Sequence, residues 1–224
     1  MNGILLVDKP GGMTSHDVVD FVRKRTGVRK VGHAGTLDPM ATGLIIILVG
    51  DATKMSERFV NDDKAYRANI VLGIATDTGD KEGRVIEEKS FKAERGNVEK
   101  ILNQFIGCIE QVPPMYSAKK YKGKKLYEYA RKGVEIKRNP QKINIKKIDM
   151  LNFSGNVISL EIFCSKGTYI RQLAVDIGRA LGTGAHVSEL RRICSGSFSV
   201  ENAIRFEELK EITKHKLYES LIRY

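Results

Sequence analysis

A run of six apolar residues, Leu44-Ile45-Ile46-Ile47-Leu48-Val49, most constrains how this chain folds. Its length and branched side chains are typical of a β-strand that is buried on both faces. The run lies within a glycine-punctuated stretch from Lys30 to Lys54 and follows a loop that carries Asp38. A loop anchored to a buried strand holds a polar side chain rigidly at the edge of a core. The sequence therefore predicts a fixed position for this carboxylate.

The residues around Asp38 indicate a tightly shaped loop. Gly32, Gly35 and Gly43 allow the backbone to approach other backbone, or a ligand, where a Cβ atom would clash. Pro39 disfavours the α conformation at Asp38 and so restricts how the carboxylate is presented. The same features suit a purely structural loop in which an aspartate caps a turn. The local pattern leaves both interpretations open.

Composition places the chain among ordinary globular proteins. It has 224 residues, of which 42% are hydrophobic and 29% are charged, enough for one domain with a small appendage. No apolar run is long enough for a membrane helix, and we expect no signal peptide. Three scattered cysteines without a CxxC pattern predict reduced thiols and a cytoplasmic location. The four histidines lack metal-ligand spacing, so we expect no metal site.

The positive charge is concentrated in one segment. The chain carries a net charge of +11, and residues 113–142 contain ten basic and two acidic residues, a net charge of +8. Four tyrosines are interleaved with the basic residues, among which are Lys119 and Lys120. Basic side chains beside aromatic rings are a signature of RNA binding, although lysine-rich loops are also common as solvated surface. The concentration of charge favours RNA.

Apolar periodicity predicts a mixed chain of strands and short helices, and hence an α+β fold around an extended mixed sheet. We expect Ser15 to cap the first helix and 154–156 to turn a hairpin. The predicted strands are 3–7, 44–49, 64–72, 84–89, 143–148, 150–153, 157–163, 186–193 and 198–203. The predicted helices are 15–26, 54–60, 97–106, 170–181 and a last one from about 206.

The chain carries an ordered series of sequence motifs. The central motif is His33-Ala34-Gly35-Thr36-Leu37-Asp38-Pro39-Met40-Ala41-Thr42-Gly43. Further blocks lie at 8–15, 64–66, 75–80, 114–118, 164–171 and 186–192. In this order they resemble the TruB family of bacterial tRNA pseudouridine synthases, which act on the uridine at position 55 of the T loop. One block alone is weak evidence, but the ordered set is specific. The resemblance implies the pseudouridine synthase fold, with 113–142 as a basic RNA-binding insertion.

The resemblance also implies roles for individual residues. Asp38 matches the catalytic aspartate, Arg171 its arginine partner, and Tyr66 the tyrosine that stacks on the target base. His33 matches the histidine that occupies the space left by the flipped base, and Tyr169 and Leu190 match residues of the uracil pocket. Lys9 either contacts RNA or supports the active-site loop, and support is the preferred interpretation. Each of these residues, seen alone, would also pass as ordinary packing.

The implied reaction is redox-neutral and requires no cofactor or metal. We expect tRNA to be the partner, through its T arm, with no membrane, no obligatory protein partner and a monomeric enzyme. Whether the aspartate attacks C1′, adds to C6 or removes a ribose proton is left open by the sequence. A base inside a folded T loop must be flipped out before its reacting atoms are reachable.

Many family members continue into a C-terminal domain of the PUA type, and the sequence predicts that this domain is absent or truncated here. We expect a catalytic domain over 1–205 and a short helical tail over 206–224. Three other functions are compatible with parts of the sequence: a synthase directed by guide RNA, an RNA chaperone, and an aspartate-nucleophile phosphotransferase. The missing domain argues against the first. The third needs further acidic residues around Mg²⁺ that Asp38 lacks nearby.

Overall fold

The computed structural model describes residues 1–92 and 94–223. The strands are β1 (Gly3–Lys9), β2 (Val31–Ala34), β3 (Thr42–Val49), β4 (Lys64–Leu72), β5 (Ile74–Thr76), β6 (Val85–Glu88), β7 (Gly107–Gln111), β8 (Lys120–Tyr121), β9 (Lys124–Lys125), β10 (Gln141–Ser154), β11 (Val157–Cys164), β12 (Ala185–Ser195), β13 (Phe198–Ser199) and β14 (Ile204–Arg205). The α-helices are α1 (Ser15–Thr26), α2 (Ser56–Val60), α3 (Arg95–Asn103), α4 (Leu126–Ala130), α5 (Ile170–Ala180), α6 (Phe206–Glu211) and α7 (Lys214–Glu219). Two segments, Gly50–Met55 and Val200–Asn202, are 3₁₀ helices.

The chain divides into two compact units, and strands β4 and β12 each run from one unit into the other. Unit 1 comprises Met1–Tyr66 and the chain from Leu190 onward, and unit 2 comprises Arg67–Glu189. In the described part of the chain, no helix is both long and apolar enough to cross a membrane.

Unit 1 is organised around β3, the strand predicted from the apolar run. All six residues from Leu44 to Val49 have no exposed surface, which confirms the prediction of burial on both faces. β1 and β2 pair with β3 in antiparallel fashion. β12 pairs with β3 in parallel fashion through Arg191–Thr42 and Arg192–Gly43. β14 lies beside β1, and β13 lies beside β12.

A glycine is required where β3 meets β12. Gly43 has a φ of +100°, and a Cβ atom there would lie 2.2 Å from the carbonyl oxygen of Arg192. Both the backbone conformation and the close approach therefore exclude larger residues. Gly32 differs, because a Cβ at that position would meet nothing nearer than a Thr53 methyl carbon at 3.8 Å. The expected close approach of other backbone at Gly32 is wrong, and the approach of a ligand there stays a prediction.

The last residues of the chain pack within unit 1. Leu209 of α6 and Leu217 of α7 have no exposed surface. Ile222 and Ile4 of β1 exchange two backbone hydrogen bonds of 2.9 Å. The division at 205/206 into a catalytic domain and a tail stays a prediction.

Unit 2 contains the strand order β12-β4-β11-β10-β7 and two small sheets, β5-β6 and β8-β9. The turn at 154–156 joins β10 to β11 as predicted, with Ser154 opposite Val157. Apolar residues of β10 and β11 alternate into the core, where Ile145, Ile158, Leu160 and Ile162 have no exposed surface. β8, β9 and α4 lie inside the basic segment 113–142.

Several predicted elements need correction. Residues 143–148 and 150–153 form one strand, β10, and 198–203 is not a strand, because a 3₁₀ helix over Val200–Asn202 separates β13 from β14. The cap of α1 is Thr14 rather than Ser15, since Thr14 and Asp17 exchange two hydrogen bonds in a capping box. β2 and β7 were not predicted; both are short and interrupted by glycine or polar residues.

Candidate active site

The loop over 35–41 links β2 to β3 and carries Asp38, whose side chain is half-buried. The Asp38 carbonyl accepts a hydrogen bond from Ala41 N at 3.1 Å, which closes a turn around Pro39. Pro39 O in turn accepts a bond from Gly12 N at 2.9 Å. The loop is thus tied to the segment that follows β1.

Lys9 supports this loop from inside the protein. It is fully buried at the end of β1, and its Nζ donates to Met13 O at 2.7 Å, Pro10 O at 2.8 Å and Pro39 O at 3.2 Å. Backbone carbonyls satisfy a buried ammonium by charge-assisted hydrogen bonds. These contacts place Lys9 beneath the Asp38 loop, so they favour the supporting interpretation over contact with RNA.

Two further buried side chains hold the same loop. Ser15 Oγ accepts from Leu37 N at 2.8 Å and donates to Leu37 O at 3.0 Å. Arg192 Nε donates to Leu44 O at 2.7 Å, and its Nη2 donates to Gly35 O at 3.2 Å. Ser15 and Arg192 are 3% and 1% exposed. The residue immediately before Asp38 and both ends of its loop are therefore fixed by side chains from other elements.

The other predicted site residues of unit 1 lie on the strands that border the loop. His33 is half-buried on β2, two residues before Gly35. Tyr66 is half-buried near the start of β4. Leu190 on β12 is 7% exposed, and its carbonyl accepts a bond from Thr42 Oγ1 at 3.5 Å. Leu190 therefore lies beside the C-terminal end of the Asp38 loop.

The start of β4 is anchored by a second buried lysine. Lys64 is 6% exposed, and its Nζ donates to the carbonyls of Phe59, at 3.2 Å, and Val60, at 2.8 Å. These carbonyls lie at the end of α2, where the last carbonyl groups of a helix lack intrahelical partners. Lys64 thus joins the end of α2 to the strand that carries Tyr66.

A bidentate ion pair lies next to the same loop. Arg191 on β12 donates to both carboxylate oxygens of Asp8 on β1, at 2.9 and 2.6 Å. Its Nη1 also donates to Thr42 Oγ1 at 3.4 Å. Bidentate guanidinium–carboxylate pairs fix geometry as well as charge. This pair ties the end of β1 and the middle of β12 to the first residue of β3.

In unit 2, Arg171 lies in the first turn of α5 and is 5% exposed. Its Nη1 donates to Thr78 O at 2.9 Å and its Nη2 to Tyr116 O at 2.7 Å, while its Nε lies 3.5 Å from an Asp80 carboxylate oxygen. Asp80 is itself buried and accepts a hydrogen bond of 2.6 Å from Thr78 Oγ1. A network of fixed partners thus sets the orientation of this guanidinium.

Tyr169 is positioned by an amide side chain from β7. Gln111 is 2% exposed; its Oε1 accepts from Tyr169 N at 2.8 Å and its Nε2 donates to Tyr169 O at 3.1 Å. Tyr169 is the N-cap residue of α5, two residues before Arg171. One side chain therefore fixes the backbone from which both predicted site residues project.

The basic segment 113–142 presents exposed cations and tyrosine rings. Lys120 is exposed and Lys119 half-buried. The Lys125 ammonium and the Arg131 guanidinium both lie over the Tyr127 ring, at 5.5 and 5.2 Å from its centroid. A cation held over an aromatic ring places a positive charge next to a flat apolar surface. This chemistry suits a polyanion with stackable bases.

Sequence reasoning missed several residues that shape the site. Asp80 lay in a matching block without an assigned role, whereas its carboxylate lies beside the Arg171 guanidinium. Gln111 carried no signal, because a single amide near a proline is usually exposed. Ser15 was expected to cap α1, and its bonds to Leu37 were not foreseen. Arg192 lay inside a matching block, yet nothing local distinguished it from its half-exposed neighbour Arg191.

Comparison with known proteins gives the family. The model of the TruB family pseudouridylate synthase N-terminal domain matches residues 23–170, and that of the tRNA pseudouridylate synthase B C-terminal domain matches residues 171–224. The chain belongs to the TruB family. This membership confirms the family resemblance seen in the motifs, and with it an isomerase that acts on RNA.

Individual relatives agree with this assignment. The chain is 46% identical to the tRNA pseudouridine synthase B of Dechloromonas aromatica (strain RCB), covering 99% of this chain and 74% of the relative. It is also 46% identical to the tRNA pseudouridine synthase B of Endomicrobium trichonymphae, covering 96% and 94% respectively. Such coverage extends the similarity through both units.

Solved structures show the same fold. A chain of a Cbf5–Nop10–Gar1 complex superimposes with a TM-score of 0.75 at 30% identity, covering 93% of this chain and 54% of that one. A chain of an H/ACA RNP bound to a substrate RNA containing 2′-deoxyuridine gives a TM-score of 0.71 at 26% identity, covering 99% and 58%. The chain thus spans little more than half of these structures. The predicted α+β pseudouridine synthase fold is confirmed.

Proposed function

We propose that this TruB enzyme converts uridine to pseudouridine at position 55 in the T loop of tRNA, with Asp38 as the catalytic carboxylate. The observation that carries the proposal is the bracing of the Asp38 loop by Lys9, Ser15 and Arg192. A half-buried carboxylate on a loop fixed at several points is preorganised for chemistry, which a solvated turn does not require.

The reaction moves one bond within a single nucleotide. The bond between ribose C1′ and uracil N1 breaks, a bond from C1′ to C5 forms, and the proton on C5 is lost while N1 gains one. The step is redox-neutral. It requires an ionised base or nucleophile near the sugar and the base, and Asp38 supplies this group.

We further propose that Arg171 keeps Asp38 ionised. Burial beneath a flipped base disfavours a charged carboxylate, whereas a neighbouring guanidinium favours it. The contacts of Arg171 with Thr78 O, Tyr116 O and Asp80 support this role. They hold its planar group in one orientation.

The remaining predicted residues would bind the flipped nucleotide. Tyr66 would stack on the uracil, Tyr169 and Leu190 would line its pocket, and His33 would fill the space that the base leaves in the RNA. The half-buried positions of Tyr66, His33 and Tyr169 support these roles, because each retains surface for a ligand. Lys9 would act as a support of the loop rather than as an RNA contact.

The basic segment 113–142 would bind the phosphates of the T arm. Its net charge of +8 and its cation–tyrosine pairs support a role in affinity rather than in the chemical step. We also propose that the enzyme works as a monomer in the cytoplasm and on tRNA without a guide. The tRNA pseudouridine synthases among its relatives support direct action on tRNA.

Asp38→Asn tests the proposal, because it preserves shape and removes charge. We expect the variant to fold, to bind tRNA within about threefold of the wild type, and to form no pseudouridine. The assay is single-turnover release of tritium from C5 of uridine in tRNA, with purified protein alone and with position 55 mapped. Wild-type release by Asp38→Asn would refute the catalytic role of Asp38. Normal tRNA binding by the wild type without any tritium release would instead favour an RNA chaperone. Activity that needs an added guide RNA would refute direct action.

A further inference from the structure

We propose that Arg192 is a positioning residue that holds the catalytic loop in its working shape. The inference rests on the proposed function of Asp38. Arg192 bridges the two ends of the segment that carries Asp38, because its guanidinium donates to Gly35 O at 3.2 Å and to Leu44 O at 2.7 Å. One planar guanidinium thus sets the distance between Gly35, at the start of the loop, and Leu44, the first residue of the buried apolar run.

One glycine of the loop leaves space that this side chain occupies. Gly35 has a φ of +91°, and a Cβ atom on it would lie 3.3 Å from Arg192 Nη1. Gly43, with a φ of +100°, instead meets the backbone of Arg192, because a Cβ atom there would lie 2.2 Å from the Arg192 carbonyl oxygen. The loop therefore passes close to the Arg192 guanidinium at Gly35, while β3 packs directly against the Arg192 backbone at Gly43.

The charge of Arg192 also indicates a geometric role. Burying a guanidinium is costly, and an apolar residue of similar size often gives an equal or higher stability. Arg191, its neighbour, pairs with the carboxylate of Asp8. Over residues 1–92 and 94–223, the partners of the Arg192 guanidinium are backbone carbonyls. Five N–H groups in a fixed fork suit this task, since they reach two divergent carbonyls at once.

A positioning role makes a prediction that a structural role does not. If Arg192 only stabilised the fold, variants that remain folded would react at the wild-type rate. If it sets the place of Asp38, its loss lowers the rate of the chemical step while RNA binding is retained. Small displacements of a catalytic group cost about 10–100-fold in rate.

The experiment compares Arg192→Met, Arg192→Lys and a control, Leu217→Ala, which removes a fully buried side chain of α7. Single-turnover rates at saturating tRNA, tRNA binding constants and melting temperatures are measured for each. Hydrogen exchange at the amides of Leu37 and Ala41 reports on the loop itself. The Leu37 amide donates to Ser15 Oγ of α1, and the Ala41 amide donates to Asp38 O within the loop.

We expect Arg192→Met to react about 10–100-fold more slowly, to bind tRNA within about threefold, and to exchange both loop amides faster. Arg192→Lys keeps the charge but reaches only one of the two carbonyls, so its rate should lie between those of the wild type and Arg192→Met. Leu217→Ala should melt at a lower temperature and react normally. If Arg192→Met does not fold, Arg192→Lys alone decides the matter by the same readouts.

A wild-type rate in either folded Arg192 variant would overturn the inference, as would a slower rate with unchanged loop exchange. Asp38→Asn is measured in parallel to separate the two proposals. If Asp38→Asn is inactive and Arg192→Met is not impaired, the positioning role fails alone. If Asp38→Asn is active, the proposed function fails, and the inference fails with it.

Discussion

Replacing Lys9 by methionine tests whether its ammonium is structural. Methionine keeps the unbranched apolar stem and removes the charge and all three donors. Lys9 has no exposed surface, so water cannot replace the lost contacts without entering the core. Pro39 O keeps its bond from Gly12 N, of 2.9 Å, whereas Pro10 O and Met13 O lose bonds of 2.8 and 2.7 Å to Lys9 Nζ.

These contacts set the magnitude. The substitution removes three bonds, but Pro39 O keeps its bond from Gly12 N. Hydrogen bonds to charged groups contribute about 1.5–3 kcal/mol each, so the losses at Pro10 O and Met13 O dominate and correspond to about 3–6 kcal/mol. Removing the buried ammonium offsets part of this loss, because its desolvation cost disappears too. We expect Lys9→Met to lower the free energy of unfolding by about 2–4 kcal/mol. For a protein of this size the melting temperature should fall by roughly 5–15 °C.

Urea denaturation followed by circular dichroism measures this change. Lys54→Met is the matched control, because Lys54 is a 70% exposed lysine paired with Asp51 at 2.8 Å. Exposed pairs contribute about 0–1 kcal/mol, so this variant should remain near the wild type. If the two variants lose the same stability, or if Lys9→Met loses less than about 1 kcal/mol, buried carbonyl contacts are not what Lys9 contributes. A folded Lys9→Met with normal stability but weakened tRNA binding would support contact with RNA instead.

Three further predictions concern other parts of the chain. Replacing four lysines of the basic segment by alanine should weaken tRNA binding: Lys119, Lys120, Lys124 and Lys125. A plot of the logarithm of the binding constant against the logarithm of the salt concentration should become shallower by about 0.7–0.9 per lost phosphate contact, with little change in the single-turnover rate. An unchanged slope would show that these lysines do not contact phosphates. The hydrogen bonds from Thr14 hold the pKa of Asp17 below its usual value. Its stabilising effect is therefore fully present above about pH 4 and is lost as the pH falls through the lowered folded pKa. Asp17→Asn should cost about 0.5 kcal/mol at pH 7, and the urea midpoints of the two proteins should converge once the pH is below that pKa. Gln111→Leu removes both hydrogen bonds to the backbone of Tyr169. It should lower the free energy of unfolding by about 1–3 kcal/mol and slow the chemical step. Stability equal to the wild type would refute the idea that Gln111 fixes the start of α5.

Local periodicity predicted much of the secondary structure. The apolar run at Leu44–Val49, the alternation along β4 and the helical spacing of α5 each reflect which side of an element is buried, and burial repeats with the period of that element. The hairpin at 154–156 followed from turn residues alone. Motif order also predicted the family and the identity of Asp38 as its candidate catalytic residue.

Periodicity predicted less well where elements are short. β2 and β7 have too few residues for a pattern to emerge, and glycine and polar residues interrupt both. At 198–203 an alternating stretch is broken by a single 3₁₀ turn. Ser15 is of a residue type that often caps helices, yet its hydroxyl binds Leu37 instead. That last outcome depends on a neighbour that is distant in sequence.

How the Asp38 loop is supported was decided by the tertiary structure. A supporting role was expected for Lys9, but neither its carbonyl partners nor the roles of Ser15 and Arg192 were. Lys9 and Arg192 come from β1 and β12, and they meet the loop because both strands pair with β3. In the sequence, an arginine of a basic protein is usually interpreted as surface or as a contact to RNA. Whether a charged side chain is exposed or buried against carbonyls depends on strand order and register. Those are set by long-range packing, which leaves no periodic trace in the sequence around the charged residue.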